Sequence, residues 1–297
     1  MHVPVLIDEV ISNLCIKSGG SYLDCTFGAG GYSKRILRAA DCYVTAIDAD
    51  HNVGPYADNL KNCYGDNFNF RTLNFSKVDV FPEGSFDGIV FDLGVSSMQL
   101  DISDRGFSFM KDGPLDMRMD QYLPLDASKV VNLYEEKELA DIIFYYGDER
   151  NSRKIAKAIC FARKIKQIES TLELVEIISS VLPFRGKIHQ ATKIFQAIRM
   201  EVNAEMSSLK IALEKSIKLL KKGAVIILVT FHSIEDKIVK DFFKTLCLPR
   251  QKKNKYGRDE ELHDFKIITH KPIIPSDREV TINPRARSAK MRILKRC

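Results

Sequence analysis

The residues that first suggest a chemical role are three closely spaced glycines that follow a short apolar segment. Gly28, Gly30 and Gly31 follow Tyr22 and Leu23, whose apolar side chains predict a buried strand, and a helical pattern covers 33–40. A strand, a glycine turn and a helix present backbone N–H groups and a helix N-terminus to a nucleotide-like ligand. Glycine suits such a turn because a Cβ atom would hinder both the left-handed backbone and a close ligand.

A carboxylate at the end of the next predicted strand extends this pattern. The strand covers 42–48 and ends in Asp48, about twenty residues after the first glycine, where an acid meets ribose hydroxyls. The dinucleotide fingerprint G-x-G-x-x-G/A is incomplete, since Ser33 holds its third position. Asp24 before the turn and Asp48 after it favour S-adenosylmethionine (SAM) as cofactor. A tight loop with glycine helix caps is the alternative.

The composition is that of a soluble protein. The 297 residues are 45% hydrophobic and 28% charged, enough for one large or two modest domains. Apolar runs stay well below the roughly eighteen residues of a membrane span, and the N-terminus lacks the basic region of a signal peptide. The seven cysteines are scattered without a C-x-x-C pair. They predict a reduced, cytoplasmic protein without a disulfide framework or a metal site.

Positive charge is concentrated in three segments that contain no acid. The net charge is +6, and the segments 150–166, 250–258 and 285–297 carry seven, five and six basic residues. Clustered cations suit a polyanion, because each neutralised phosphate releases counterions. One segment alone would read as a solvated face, but the three together favour a nucleic-acid partner.

The order of elements predicts an α/β fold with an insertion. A fourth strand, 86–94, carries Asp92 near its end and runs into a turn at 95–99, and the fifth strand, 224–230, follows only after about a hundred residues. We therefore expect a doubly wound sheet built from 1–103 and 200–297. The residues between, 104–199, are expected to form an all-helical insertion. It opens with an aperiodic loop, and its last helical pattern continues into a long region covering 191–222.

Several long motifs resemble one known family. They are FDLGVSSMQLD (91–101), RGFSF (105–109), DGPLDMRM (112–119), HVPVL (2–6), DCTFGAGGYS (24–33), FHSIED (231–236) and NPRARS (283–288). Together they resemble the bacterial 16S ribosomal RNA (cytosine-N4)-methyltransferase family, also called MraW. The resemblance implies a class I SAM-dependent methyltransferase fold of Rossmann-like type. It also implies methylation of a cytosine N4 amine in the decoding centre of 16S ribosomal RNA, in the small ribosomal subunit.

The glycine turn and the resemblance together give the expected cofactor contacts. They are Gly28, Gly30, Gly31, Tyr32, Asp48, Phe75, Asp92 and Gln99. Asp48 is expected to hold the ribose hydroxyls, and Asp92 is expected to lie beside the methionine amine. Tyr32 departs from the histidine that is common in the family, which leaves a side-chain role at this position open.

Catalytic and RNA-binding residues are less directly indicated. Amino methyltransferases commonly carry a D/N/S-P-P-Y/F turn after the fourth strand, and this chain has Asp92-Leu93-Gly94-Val95 instead. We expect the catalytic residues to be Asp92, Ser96 and His232. The expected RNA contacts are Asp116, Arg118, Arg153, Lys154, Lys157, Arg285 and Arg287. The alternatives are a self-satisfied loop network at Asp116 and Arg118, a core histidine at His232, and arginines that only brace the loop 104–120.

Other classes of function fit parts of the sequence. A SAM enzyme acting on protein or a small molecule would not need the basic segments, and a nicotinamide oxidoreductase would want glycine or alanine in place of Ser33. An assembly factor that binds RNA and SAM without turnover fits the missing proline pair. The oligomeric state, monomer or homodimer, is not readable from the sequence.

Overall fold

The computed structural model describes residues 4–182, 189–248, 250–253, 259–262 and 264–297. The chain forms two compact units, one from Met1–Gly94 with Ser207–Cys297 and one from Val95–Met206. The second unit extends beyond the expected 104–199 at both ends, because Val95, Leu100 and Val202 pack with its apolar core. Residues 2 and 3 of the HVPVL motif lie outside the described residues. So does the basic segment 250–258, apart from the backbone of 250–253.

The first unit contains a seven-stranded sheet. Its strands are β1 Ser21–Asp24, β2 Tyr43–Asp48, β3 Phe68–Thr72, β4 Phe86–Asp92, β5 Leu220–Thr230, β8 Phe265–Ile267 and β9 Lys290–Arg296, in the order β3-β2-β1-β4-β5-β9-β8. The first five strands are parallel, while β9 is antiparallel to β5 and β8 is antiparallel to β9. A separate antiparallel pair is formed by β6 Arg250–Lys253 and β7 Asp259–Leu262. This topology confirms the expected class I methyltransferase fold.

Helices and apolar strands build the core of this unit. The helices are α1 Ile7–Leu14, α2 Gly31–Ala39, α3 Gly54–Tyr64, α10 Glu205–Leu219, α11 Ser233–Leu246 and α12 Asp277–Ile282. The central strands are apolar through their middles, since a parallel strand is covered on both faces. Phe91, Ile226 and Val239 are accordingly buried in one cluster. Within the described ranges, no helix combines the length and the apolar character needed to cross a membrane.

The second unit is helical, as expected. Its helices are α4 Ser97–Asp101, α5 Ala127–Leu133, α6 Glu136–Gly147, α7 Ser152–Ile165, α8 Thr171–Val181 and α9 Ala191–Val202. Their apolar faces meet in one cluster that includes Ile143, Ile155 and Ile198, all fully buried. The helical spacing of these residues in the sequence is what sets the buried face of each helix.

The loop 104–120 is held by side chains that reach its backbone. Arg105 is 5% exposed, and its guanidinium donates to the carbonyls of Arg118 at 2.8 Å and Met119 at 3.2 Å. Asp112 Oδ1 accepts from the Leu172 amide at 3.2 Å, at the start of α8. The aperiodic sequence therefore encodes an ordered loop whose partners lie elsewhere in the unit.

The single helical region expected over 191–222 is wrong, because it breaks at Asn203. There α9 has ended at Val202, and Ala204 has a left-handed φ of 48°. The Asn203 side chain donates to the Met117 carbonyl at 2.8 Å and accepts from the Met119 amide at 2.7 Å. The helix pattern is interrupted because this asparagine serves the loop.

We predict that Asn203→Ala lowers the free energy of unfolding by about 2 kcal/mol, since the buried Met117 carbonyl and the half-buried Met119 amide lose their partners. Urea titration measures the loss. Asn13→Ala is the matched control, because among the described residues its side chain bonds only to Glu9 and Ser12 of α1, and we expect a change within about 0.5 kcal/mol there. Equal losses in the two variants would contradict this role for Asn203.

Candidate active site

Three carboxylates meet at one edge of the sheet. Asp24, Asp48 and Asp92 end the parallel strands β1, β2 and β4, and β1 pairs with both neighbours, Asp24 lying opposite Ala46 and Val90. In an open α/β sheet, ligands bind outside the carboxyl ends of the strands, where the strand order reverses. The strand order reverses between β1 and β4 here, so the three acids mark this edge as the candidate site.

The glycine turn presents one open face and one packed face. Gly28 has φ 52°, and a Cβ atom there would have no described atom beyond its chain neighbours within 4 Å. Gly30 has φ 78°, and a Cβ atom there would lie 2.9 Å from the Phe27 ring. The backbone at Gly28 is therefore open to a ligand, whereas Gly30 is needed for packing against Phe27.

A buried carboxylate holds the turn from below. Asp24 is fully buried, and its Oδ2 accepts from the Ser33 hydroxyl at 2.7 Å while its Oδ1 accepts from the Thr26 amide at 3.2 Å. Thr26 Oγ1 in turn accepts from the Asp92 amide at 2.6 Å. Burial raises the pKa of Asp24 to about 6, and the hydrogen bonds oppose this rise. Asp24 thus links the end of β1 to α2 and, through Thr26, to the end of β4.

Asp48 shapes the opposite side of the same turn. Its Oδ2 accepts from the Gly28 amide at 2.7 Å and its Oδ1 accepts from the Asp50 amide at 2.9 Å. Burial is the main cause that raises the pKa of Asp48 to about 6. Each carboxylate oxygen has a second lone pair, so Asp48 fits an additional hydroxyl donor such as those of a ribose.

Asp92 has a carboxylate oxygen that lacks a partner among the described residues. Its Oδ1 is buried and makes no hydrogen bond to the described residues. Burial, followed by the negative charges of Asp24 and Glu235, raises the pKa of Asp92 well above its usual value. A cationic hydrogen-bond donor would satisfy this atom and lower that pKa. On the neighbouring surface, the half-buried Phe75 meets Phe91 edge-on at 5.9 Å between ring centroids.

An N-terminal segment covers the start of α2. The ring of Pro4 occupies the space that a Cβ atom at Gly31 would need, and the Tyr32 hydroxyl donates to the Val5 carbonyl. Leu6 is fully buried with a left-handed φ of 53°, and its amide donates to Glu279 Oε1 at 2.7 Å. The Tyr32 side chain therefore anchors this segment.

Two of the expected catalytic residues cap helices. Ser96 Oγ accepts from the Gln99 amide at 3.3 Å, and Gln99 Oε1 accepts from the Ser96 amide at 3.0 Å, a reciprocal cap at the start of α4. His232 Nδ1 accepts from the Glu235 amide at 3.3 Å at the start of α11. His232 Nε2 lies 3.0 Å from Glu235 Oε1 without hydrogen-bond geometry. These side chains are held rigidly at helix N-termini.

The expected RNA contacts fall into two kinds. Asp116 and Arg118 form a bidentate pair at 2.9 and 2.8 Å. Burial of Asp116 opposes its charge, but the hydrogen bonds from Arg118 outweigh it and hold the pKa of Asp116 below its usual value. The other five cations are exposed on α7 and on the short 3₁₀ helix Pro284–Ser288: they are Arg153, Lys154, Lys157, Arg285 and Arg287.

Sequence reasoning did not assign Thr26, Ser33 or Glu279 to the site. Ser33 counted only as a mismatch to the dinucleotide fingerprint, yet its hydroxyl is the partner of Asp24. Glu235 sits three residues after His232, the spacing of a capping box, and this local signal was available. Glu279 contacts a residue 273 positions away, so no local pattern indicates it.

Comparison of the sequence with known proteins identifies its family. The model of the MraW methylase family matches residues 1–297. The chain belongs to the MraW methylase family. It is 52% identical to the "Ribosomal RNA small subunit methyltransferase H" of Rickettsia felis, over 99% of this chain and 98% of that protein. The protein of the same name from Rickettsia conorii is 53% identical, over 99% and 97%.

Membership of this family makes the chain a SAM-dependent methyltransferase. Among solved structures, a SAM-dependent methyltransferase from Mesorhizobium loti overlaps 97% of this chain and 96% of its own at 9% identity, with a TM-score of 0.42. That overlap is too loose to add to the assignment, which stands on the family match and the sheet topology. The open backbone at Gly28 and the unpartnered oxygen of Asp92 fit the cofactor.

We predict that Gly31→Ala destabilises the first unit, because the new methyl group would collide with the Pro4 ring. A double-mutant cycle with Pro4→Gly tests the cause. If the collision is responsible, Gly31→Ala costs about 1–3 kcal/mol in the wild-type background and clearly less beside Pro4→Gly. Urea unfolding measures all four proteins. Additive effects would show that Pro4 does not set the requirement for glycine.

Proposed function

We propose that this protein transfers the methyl group of SAM to the N4 amine of a cytosine in the decoding centre of 16S ribosomal RNA, in the cytoplasm. The main support is the identity of 52–53% to proteins named Ribosomal RNA small subunit methyltransferase H, over 99% of the chain. The motifs between 91 and 119 support the choice of base, since they carry the resemblance to cytosine-N4 enzymes. The exposed cations of α7 support an RNA substrate.

The cofactor would bind along the carboxyl edge of β1, β2 and β4. Asp48 would accept hydrogen bonds from the ribose hydroxyls while it keeps its hydrogen bond from the Gly28 amide. The glycine turn at Gly28, Gly30 and Gly31 would let the cofactor approach the protein backbone closely. Asp92 Oδ1 would accept from the methionine ammonium. The remaining contacts would come from Tyr32, through its backbone, and from Phe75 and Gln99. SAM supplies a methyl group on a positively charged sulfur, which leaves as a neutral thioether.

The protein's part in the reaction is chiefly positioning. A cytosine N4 amine is a weak nucleophile because its lone pair is delocalised into the ring, so an acceptor for one N–H would help localise that pair. Asp92 and Ser96 are the proposed acceptors, whereas His232 would offer its Nε2–H as a donor, because its Nδ1 already accepts from the Glu235 amide. Each of the caps at Ser96 and His232 holds its side chain in a fixed place on its own helix, and fixed positions are what methyl transfer chiefly requires.

The test is methylation by the purified chain of small ribosomal subunits that lack the modification, with isotopically labelled SAM and nucleotide mapping of the product. The proposal expects label on one decoding-centre cytosine, at N4. Label on ribosomal protein, or on free small molecules, would favour one of the rival transferases. Binding of SAM and RNA without any transfer would make the protein an assembly factor and overturn the proposal.

We predict that SAM binds about tenfold more weakly at pH 5 than at pH 7, because protonated Asp48 loses acceptor capacity for the ribose. The pKa of about 6 in the free protein places the change between these values. Asp48→Asn should bind SAM more weakly with a flatter profile. Asp87→Asn is the control, because the pKa of Asp87 is about 2. Calorimetry measures the affinity, and an unaltered profile in Asp48→Asn would exclude this role for Asp48.

We also predict that the triple variant Arg153→Gln, Lys154→Gln, Lys157→Gln binds the RNA more weakly and with a shallower salt dependence. Loss of three phosphate contacts lowers the slope of log K against log salt by about 2. A triple Lys→Gln variant at Lys237, Lys240 and Lys244 of α11 removes the same charge from exposed positions. If both triple variants change the slope equally, net charge and not the α7 surface is responsible.

A further inference from the structure

The exposed side of α7 carries large apolar side chains among its cations. Phe161 is 68% exposed and Ile165 is 75% exposed, although the opposite side of the same helix buries Ile155 and Ile159 completely. Single exposed apolar residues are ordinary. An aromatic ring surrounded by basic side chains on an acid-free helix is a more specific arrangement.

Helix geometry places these residues on one arc. Each residue advances about 100° and 1.5 Å, so Arg153, Lys157, Phe161 and Ile165, spaced by four, follow a stripe with a step of about 6 Å and 40°. Lys154 lies within about 20° of Phe161 around the axis, and Lys164 within about 60°. We call this set the α7 face: Arg153, Lys154, Lys157, Phe161, Lys164 and Ile165.

Two of the three other basic residues in the segment 150–166 serve the fold. Arg163 donates to the carbonyls of Val131 at 2.8 Å and Tyr134 at 2.6 Å, and Lys166 pairs with Glu173 at 2.6 Å. Glu135 and Glu136 act electrostatically on Cys160 of α7. Cys160 is buried and lies at the edge of the arc, about 100° from Phe161. The α7 face itself is therefore cationic around its ring.

We propose that the α7 face binds an unpaired stretch of the RNA substrate, with a base stacked on the Phe161 ring and neighbouring phosphates held by Arg153, Lys154, Lys157 and Lys164. This rests on the proposed function. Aromatic rings among cations are how proteins hold single-stranded RNA, because every base offers a π-face and every nucleotide a phosphate. Duplex RNA keeps its bases stacked on one another, so it offers no free base face to Phe161.

Charge decides against a second copy of the protein as the occupant. A second α7 face would bring the same four cations against the first, and like charges in contact are unfavourable. An apolar partner helix would bury the ring but leave the cations without counter-charges. A nucleic-acid strand satisfies both features of the surface at once.

The test compares substitutions at Phe161 by their affinity for two RNA probes, a 16S fragment with the target cytosine in an unpaired stretch and the same fragment annealed to its complement. We expect Phe161→Ala and Phe161→Leu to weaken binding of the unpaired probe by roughly 5- to 100-fold, and Phe161→Tyr to bind as wild type does. Duplex affinity should not change. Leu133→Ala is the control truncation, because it removes a 70% exposed apolar side chain outside the α7 face, and it should have little effect.

Two further readouts separate stacking from other causes. The slope of affinity against salt should stay at the wild-type value in Phe161→Ala, since no charge is removed, and SAM affinity should be unchanged. Wild-type affinity in Phe161→Leu would overturn the stacking role, and a change of oligomeric state in Phe161→Ala would show that a second copy uses this face. Failure of the proposed function is distinct, because the wild-type protein itself would then not methylate the RNA.

Discussion

The buried carboxylate of Asp24 is the constraint from which the site is built. A charged group without solvent is costly unless hydrogen bonds compensate it, and here the Ser33 hydroxyl and the Thr26 amide provide them. Those two donors fix where α2 begins and how the chain leaves β1. Thr26 then receives the Asp92 amide, so the end of β4 is set by the same carboxylate. The buried bonds of Asp24 hold the glycine turn from its inner side. Its outer face at Gly28 is left open to a ligand.

The same acids make the free protein less stable than it could be. Asp24 and Asp48 have pKa values of about 6 in the fold, above those of an unfolded chain. The folded state therefore binds protons more tightly, and the contribution of these groups to stability falls as the pH rises from about 4 to 6. Burial is the main cause of both rises, and SAM carries a sulfonium and an ammonium group, so its binding would favour the charged forms of these carboxylates. The buried carboxylates at this edge of the sheet would therefore suit a cationic ligand.

Local patterns were sufficient where the partners of a residue are close in the sequence. The strand that ends at Asp24, the glycine turn and the position of Asp48 at the end of β2 could all be predicted, because each depends on a few consecutive residues. The ordered conformation of the loop 104–120 could not be predicted. Arg105 and Asn203 hold it by hydrogen bonds to backbone atoms that lie far from them in the sequence. The covering of Gly31 by Pro4 depends on Glu279, at the other end of the chain. Helix periodicity over 191–222 failed for the same reason.

Methyl transfer requires little acid–base catalysis, so it is compatible with the finding that two of the expected catalytic residues, Ser96 and His232, cap helices. A side chain that caps a helix has few alternative rotamers, because leaving its position strands a backbone amide. Ser96 and His232 are therefore well suited to hold a base still, and poorly suited to move protons over a distance. Recognition of the substrate then has to come from surfaces away from the reacting atoms. Under our proposal, the exposed cations and the exposed ring of α7 form such a surface.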